Sequence, residues 1–204
     1  MSENKENIQT DQYWIDKVLG GDTNAFASII QNTEGLVTQI VFKMISRAED
    51  RKDIAQDIYL KAFKSLPGFR YQSKLSTWIA QISYNTCLTY LEKKKLVLLD
   101  NRDEHTEPND DSLELVGGKS VFKLFNQTEN DIFQRELNAI LKSEIELLSP
   151  LHRTLITLYH NEELSYEEIA RITQLPEGTV KSYLFRARRS LKDNLLRKYK
   201  KEEL

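Results

Sequence analysis

The sequence predicts an all-α protein built as two small helical domains joined by a flexible acidic linker. Three observations predict it. Apolar residues recur at helical spacing through most of the chain, and no stretch alternates as a strand would. Seven glycines and four prolines in 204 residues are too few breakers for a many-stranded fold. One internal stretch, Asp100 to Gly118, abandons the periodicity and carries seven acidic residues against one basic, the composition of a solvated tether.

Residues 1–10 are polar and expected to be disordered. A helical pattern starts near Asp11 and pauses at Gly20 to Asp22, and the first domain is read over 11–97. From Asn24 to Ile45, Phe26, Ile29, Ile30, Val37, Ile40, Val41 and Met44 make one apolar face. A third helix, Asp50 to Leu66, is stopped by Pro67 and Gly68. A fourth runs from Ser76 to Lys95, with Ser76 or Ser73 as its N-cap. The linker occupies 98–127. The second domain, 128–204, opens near Thr128 as an N-cap, with Phe133, Leu137, Ile140, Leu141, Ile145 and Leu148 on one face. Ser149 then caps a helix that has Pro150 at its first position. Two more helices follow, Ser165 to Ile172 and Pro176 or Glu177 onward. Ser165 and Glu168 have the spacing of a capping box.

Charge is segregated although the net is only −2. Arg171 to Lys201 holds ten basic and two acidic residues, and Lys61 to Lys95 holds seven basic and one acidic. Such patches are the electrostatic footprint of nucleic-acid binding. Cys87 stands alone, which fits a reducing compartment. The segment MSENKENIQTDQ has no apolar stretch of the secretory-signal type, and no run is long enough to cross a bilayer. A cytoplasmic protein is expected. His105, His152 and His160 have no partners at metal-ligand spacing, and VGGKS at Val116 to Ser120 lacks the spacing of a phosphate loop. No cofactor, metal, small-molecule substrate or enzymatic activity is expected.

A short helix, a turn and a second helix make the helix-turn-helix plan. At 100° per residue, Val180, Leu184, Ala187, Leu191 and Leu195 share the core side of the second helix. Ser182, Phe185, Arg186 and Arg189 lie opposite, with Lys181 and Arg188 at the edge. Between Val180 and Lys192 no acid interrupts this face. An ordinary solvated helix would mix in Glu for i,i+4 pairing. A basic face of this kind fits the DNA major groove.

The stretch LSPLHRTLITLYHNEELSYEEIARITQLPEGTVKSYLFRARRSLK resembles region 4 of bacterial sigma-70-family sigma factors, most closely the extracytoplasmic-function group. The resemblance rests on the Leu-x-Pro opening, Ser-Tyr-x-Glu-Ile-Ala and Gly-Thr-Val-Lys-Ser. DRKDIAQDIYLKAFKSLPGFRYQSKLSTWIAQISYNTCLTYLEKKK is similar to region 2 of the same family, with Asp53, Gln56, Asp57, Tyr59, Trp78, Ile82 and Asn85 in the family's places. The resemblance covers nearly the whole chain and implies an alternative sigma factor. Its implied partners are core RNA polymerase, at the β′ clamp helices and β flap, promoter DNA and an anti-sigma factor.

Residue by residue, the resemblance implies −35 contacts by Thr179, Lys181, Ser182, Phe185, Arg186, Arg188 and Arg189. It implies −10 contacts by Phe69, Arg70, Tyr71, Lys74, Gln81, Asn85, Lys93 and Lys94. Aromatics mixed with cations suit unstacked bases and their phosphates; the alternative is that Phe69 and Tyr71 pack beneath their loop. Trp78, on a face with Leu75, Ile79 and Ile82, reads as core. Polymerase contact is implied for Asp53, Gln56, Asp57, Tyr59, Leu60 and Phe63; the apolar members could instead be buried in the bundle. Thr89 and Glu92 depart from the family pattern, and an acid at Glu92 is unsuited to phosphate. The acidic linker reads either as an RNA mimic in a polymerase channel or as a solvating tether. The competing class is a stand-alone helix-turn-helix transcription regulator that binds duplex DNA.

Overall fold

The computed structural model describes residues 2–100 and 130–199, with side chains described over 10–95 and 138–198. Eight α-helices succeed one another, and no strand occurs among the described residues. Helix α1 (Ser2–Leu19) ends at Gly20 and Gly21. Gly21 takes φ +101, a conformation that a side chain would strain. A 3-10 turn (Thr23–Ala25) leads into α2 (Phe26–Met44). Helix α3 (Ala48–Ser65) stops in a 3-10 turn (Leu66–Gly68) that contains the proline. Helix α4 spans Leu75–Asp100. The second module comprises α5 (Asn130–Glu146), α6 (Pro150–His160), α7 (Tyr166–Thr173) and α8 (Glu177–Tyr199).

Two boundaries differ from the sequence pattern. Helical backbone begins at Ser2 rather than near Asp11. The segment SENKENIQ has no glycine or proline, and Glu, Lys and Gln extend a helix readily once it is seeded. Helix α4 likewise runs on through 98–100, the first residues of the expected linker, whose acidic remainder lies outside the described residues. The cap of α4 also differs. Ser73 Oγ donates to the Lys74 carbonyl at 3.2 Å, and the Leu75 N–H is accepted by the Asp11 carboxylate, 3.3 Å away on α1. Burial raises the Asp11 pKa, and this backbone hydrogen bond pulls it back only in part.

Each module has the core its periodicity demands. Ile29, Ile40, Val41 and Met44 of α2 meet Ile54, Ile58 and Ala62 of α3 and Ile79 of α4, all buried. In the second module Leu155, Leu158, Ile169, Ile172, Val180, Leu184 and Ala187 are sealed from solvent. Full burial of each Leu or Ile side chain contributes about 1.5–3 kcal/mol.

The modules dock on one another, with α6 against α2 and α7 against α4, so the buried residues form one continuous cluster. Arg153 of α6 pins the first seam. It is buried, donates to the Lys43 carbonyl, reaches the Glu146 carbonyl at 3.3 Å and Ser46 Oγ at 3.5 Å, and pairs with the Glu146 carboxylate at 3.6 Å. Lys43 also pairs with Glu146. At the second seam Lys74 pairs with Glu168 at 2.9 Å, and Arg171 donates to the Gln72 carbonyl at 2.7 Å.

Candidate nucleic-acid interface

The helix-turn-helix forms as its sequence dictates. Ser165 Oγ accepts from the Glu168 N–H while the Glu168 carboxylate accepts from the Ser165 N–H, a complete capping box. Helix α7 ends at Gln174, in the left-handed region at φ 57, and this swings the chain into α8. Val180, Leu184 and Ala187 are 0% exposed, which fixes the rotation of α8. The opposite face is therefore open. Phe185 is 66% exposed, and Lys181, Ser182, Arg186, Arg188 and Arg189 are exposed beside it; Thr179 is half-buried. An exposed phenylalanine among cations has no packing role in the monomer. Leu191 and Leu195 are only half-buried, because the core thins toward the end of α8. The acids flanking the basic run serve its ends: Glu177 pairs with Lys181 at 2.7 Å and Asp193 with Arg189 at 4.0 Å. Arg186 carries no ion pair with either.

Two cations on the edge of α8 are seated on rings, a feature sequence reasoning missed. Tyr159, in the last turn of α6, stacks on Tyr166 at the start of α7, with centroids 5.0 Å apart and planes at 19°. The Arg188 guanidinium sits 4.8 Å over Tyr159, and the Lys181 ammonium 5.3 Å over Tyr166. Proximity of the two hydroxyls raises the Tyr159 pKa and lowers that of Tyr166. Arg188 Nε donates to His160 Nε2 at 3.3 Å. Burial, then the Arg188 charge, holds the His160 pKa below its ordinary value, and burial with Arg186 does the same to His152. The two tyrosines are seven residues apart across a turn, and no periodicity announces their meeting.

The loop between α3 and α4 gathers Phe69, Arg70, Tyr71 and Lys74. Phe69 is half-buried against Trp78, with centroids 5.2 Å apart, so it belongs partly to the core. Tyr71 is exposed and held at φ 55, an uncommon conformation for a bulky residue. Arg70 is exposed, and Lys74 is engaged by Glu168 of the other module. Trp78 is half-buried and packs on the core, as its helical face implies. Along α4, Gln81, Asn85 and Lys94 are half-buried and Lys93 and Glu92 exposed; Thr89 is spent on the Asn85 carbonyl at 2.9 Å.

Helix α3 presents a third surface. Leu60 is 52% exposed and Phe63 38%, with Asp53, Gln56 and Asp57 exposed alongside. Asp57 pairs with Lys61 at 2.7 Å. Tyr59 differs from its neighbours. It is half-buried, its hydroxyl lies 3.3 Å from Thr33 Oγ1, and its ring meets Phe26 edge-on. Phe63 also leans on Phe26, at 5.1 Å. Burial pushes the Cys87 thiol up to about 12, so it stays protonated. Among the described residues no group of three His, Cys, Asp or Glu could hold a metal ion, and no helix is long and apolar enough to cross a membrane.

Two family models match the chain. A model described as Sigma-70 region 2 matches residues 29–97, and one described as Sigma-70, region 4, matches residues 139–191. The RNA polymerase sigma-H factor of Pseudomonas aeruginosa is 30% identical over 183 residues, which span 90% of this chain and 92% of that protein. The ECF RNA polymerase sigma-E factor of Escherichia coli strain K12 is 32% identical over 182 residues, 89% of this chain and 92% of that one. Among solved structures, the sigma factor RpoE bound to the anti-sigma factor NepR from Bartonella quintana aligns with a TM-score of 0.64 at 21% identity, over 83% of this chain and 96% of that one. CnrH in complex with the cytosolic domain of CnrY aligns at a TM-score of 0.57 and 17% identity, over 91% and 96%. At these identities the likeness to the solved structures is one of fold.

Proposed function

The chain belongs to the sigma-70 family of RNA polymerase sigma factors, in its extracytoplasmic-function group, and from that premise we propose how its residues divide the work. It is an alternative sigma factor that joins core RNA polymerase and directs transcription initiation at promoter DNA. The polymerase supplies the catalyst, and this chain supplies the address and the opening. Acting on polymerase fits the expected cytoplasmic location.

In our reading the second module carries −35 recognition. Arg186, Phe185 and Ser182 lie at the centre of the open face, with Thr179, Lys181, Arg188 and Arg189 around it. Arg is the side chain best matched to guanine edges, and Lys and Ser to phosphate oxygens. The first module carries −10 opening. Tyr71 and Phe69 offer ring faces to unstacked bases, Arg70, Lys74 and Lys93 offer charge, and Gln81 and Asn85 face the duplex above. Leu60 and Phe63, ringed by Asp53, Gln56 and Asp57, suit a basic apolar docking site such as the β′ clamp helices, while the β flap would take the second module. Tyr59 supports that surface from beneath.

One observation carries the −35 assignment: Phe185 and its cations stand open to solvent while Val180, Leu184 and Ala187 are fully sealed. Arg186→Ala should therefore leave the fold intact and weaken promoter binding by about 1–3 kcal/mol, with discrimination relaxed at one −35 position. Binding titrations of the reconstituted holoenzyme against single-base −35 variants measure this. Uniform binding by the variant and the parent would count against the assignment.

A further inference from the structure

We infer that Tyr159 and Tyr166 are positioning residues which hold Arg188 and Lys181 as a two-pronged clamp on the backbone phosphates of the −35 duplex. The inference rests on the −35 reading above and widens that interface from α8 onto the end of α6 and the start of α7.

The geometry points there by several independent contacts. Lys181 and Arg188 lie seven residues apart on α8, about 10 Å along its axis. Both stand at the edge of the open face rather than at its centre. Long cationic side chains at such an edge lose much rotamer freedom when they grip a ligand, and holding them beforehand removes that loss from the binding step. Here each has a seat. Arg188 lies over Tyr159, and Lys181 over Tyr166. The two rings stack on each other, so one platform from two helices sets both cations at once. His160 fixes Arg188 further by accepting from its Nε.

Packing places the two rings, which lean on the buried cluster, but not the cations laid over them. Leu155, Ile156 and Leu158 fill the core side of α6, while Tyr159 is half-buried and spends its exposed part beneath a cation. The ligand class follows from the donors. Guanidinium and ammonium on one rim suit phosphate oxygens, with Lys181 exchanging its Glu177 carboxylate, 2.7 Å away, for one of them, and a contact of this kind reads position on the duplex rather than sequence. Arg186, on the centre of the face and without an ion pair, faces the base edges, with Arg189, loosely paired with Asp193 at 4.0 Å, beside it.

The test uses the full chain with core RNA polymerase on a −35 duplex and measures affinity against salt. Tyr159→Leu should weaken binding about tenfold across different −35 sequences and lower the log–log salt slope by about one. Tyr159→Phe keeps the ring and should recover most of the loss. In an Arg188→Ala background Tyr159→Leu should cost little more, because the cation it seats is gone. Additive losses, or an unchanged slope, would overturn the clamp. Should Tyr159→Leu melt the module, Arg188→Ala and Lys192→Ala on an intact platform decide it. The clamp predicts a clearly larger loss at Arg188 than at Lys192, an exposed cation of the same helix, and equal losses overturn it. Absence of any −35 duplex binding by the parent holoenzyme would sink the −35 reading itself, whereas binding that ignores Tyr159 sinks the clamp alone.

Discussion

Single residues decide where this molecule departs from a plain helical bundle. Tyr71 is held at φ 55 with its ring exposed, a conformation that costs an ordinary side chain of order 1 kcal/mol. Tyr71→Gly relieves that strain and removes the ring. Thermal stability should then hold within about 1 kcal/mol, because relief and added chain entropy oppose each other, while promoter opening falls; melting curves beside permanganate reactivity separate the two effects. His152 and His160 carry a second prediction. Both pKa values lie below the ordinary 6.5, so the unfolded chain takes up protons first. Stability is then full above 6.5 and drains away as pH falls through that value toward the lowered folded pKa. Melts between about pH 7.5 and pH 5.5 should show the midpoint dropping, and His160→Gln should flatten that drop. The residues themselves showed which face of α8 is basic, since a 3.6-residue period needs no tertiary information. The seats beneath Lys181 and Arg188 were illegible, because they depend on a turn that brings Tyr159 to Tyr166.

At the scale of elements, local chemistry and periodicity agree. Ser149 accepts from the His152 N–H at 3.4 Å with Pro150 behind it, and Ser165 with Glu168 closes the box on α7. Both starts were legible because their partners lie three residues apart. Ser165→Ala should cost about 1 kcal/mol and loosen α7, measurable by denaturant unfolding and by faster amide exchange over 166–173. No loss would mean that tertiary packing alone holds this short helix. The start of α4 was not legible. Its Leu75 N–H finds Asp11, 64 residues earlier in the chain, and no local pattern names such a partner. On α3 the buried Ile54–Ile58–Ala62 face was legible and the exposure of Leu60 and Phe63 was left open. Tyr59 faces inward because Thr33 offers its hydroxyl a partner.

For the whole molecule, the sequence pattern names two modules and a tether but not how the modules meet. Their docking depends on Arg153 reaching carbonyls and a carboxylate across the seam, and on Lys74 meeting Glu168. The second pair has a functional edge. Lys74 belongs to the loop assigned to −10 DNA, and in the docked form its charge is already spent. Burial pushes the Glu168 pKa up, yet Lys74 and Ser165 together bring it below the ordinary carboxylate value. Glu168→Gln keeps an acceptor for the capping box and removes the charge. Its expected cost is small, about 0–1 kcal/mol for a partly exposed pair. Fluorescence energy transfer between labels in the two modules should show more open molecules and a weaker response to salt, because the screened pair is gone; an unchanged distance distribution would show that the apolar seam holds the modules without this pair.

As a sigma factor, this chain should open promoters only together with RNA polymerase. The most direct test mixes the full chain with core polymerase and supercoiled promoter DNA, then maps permanganate-reactive thymines and run-off transcripts. Reactive thymines should appear at one −10 position with a defined transcript, both absent when either protein is omitted. Tight duplex binding by the chain alone, with no strand opening and no complex with polymerase, would contradict it.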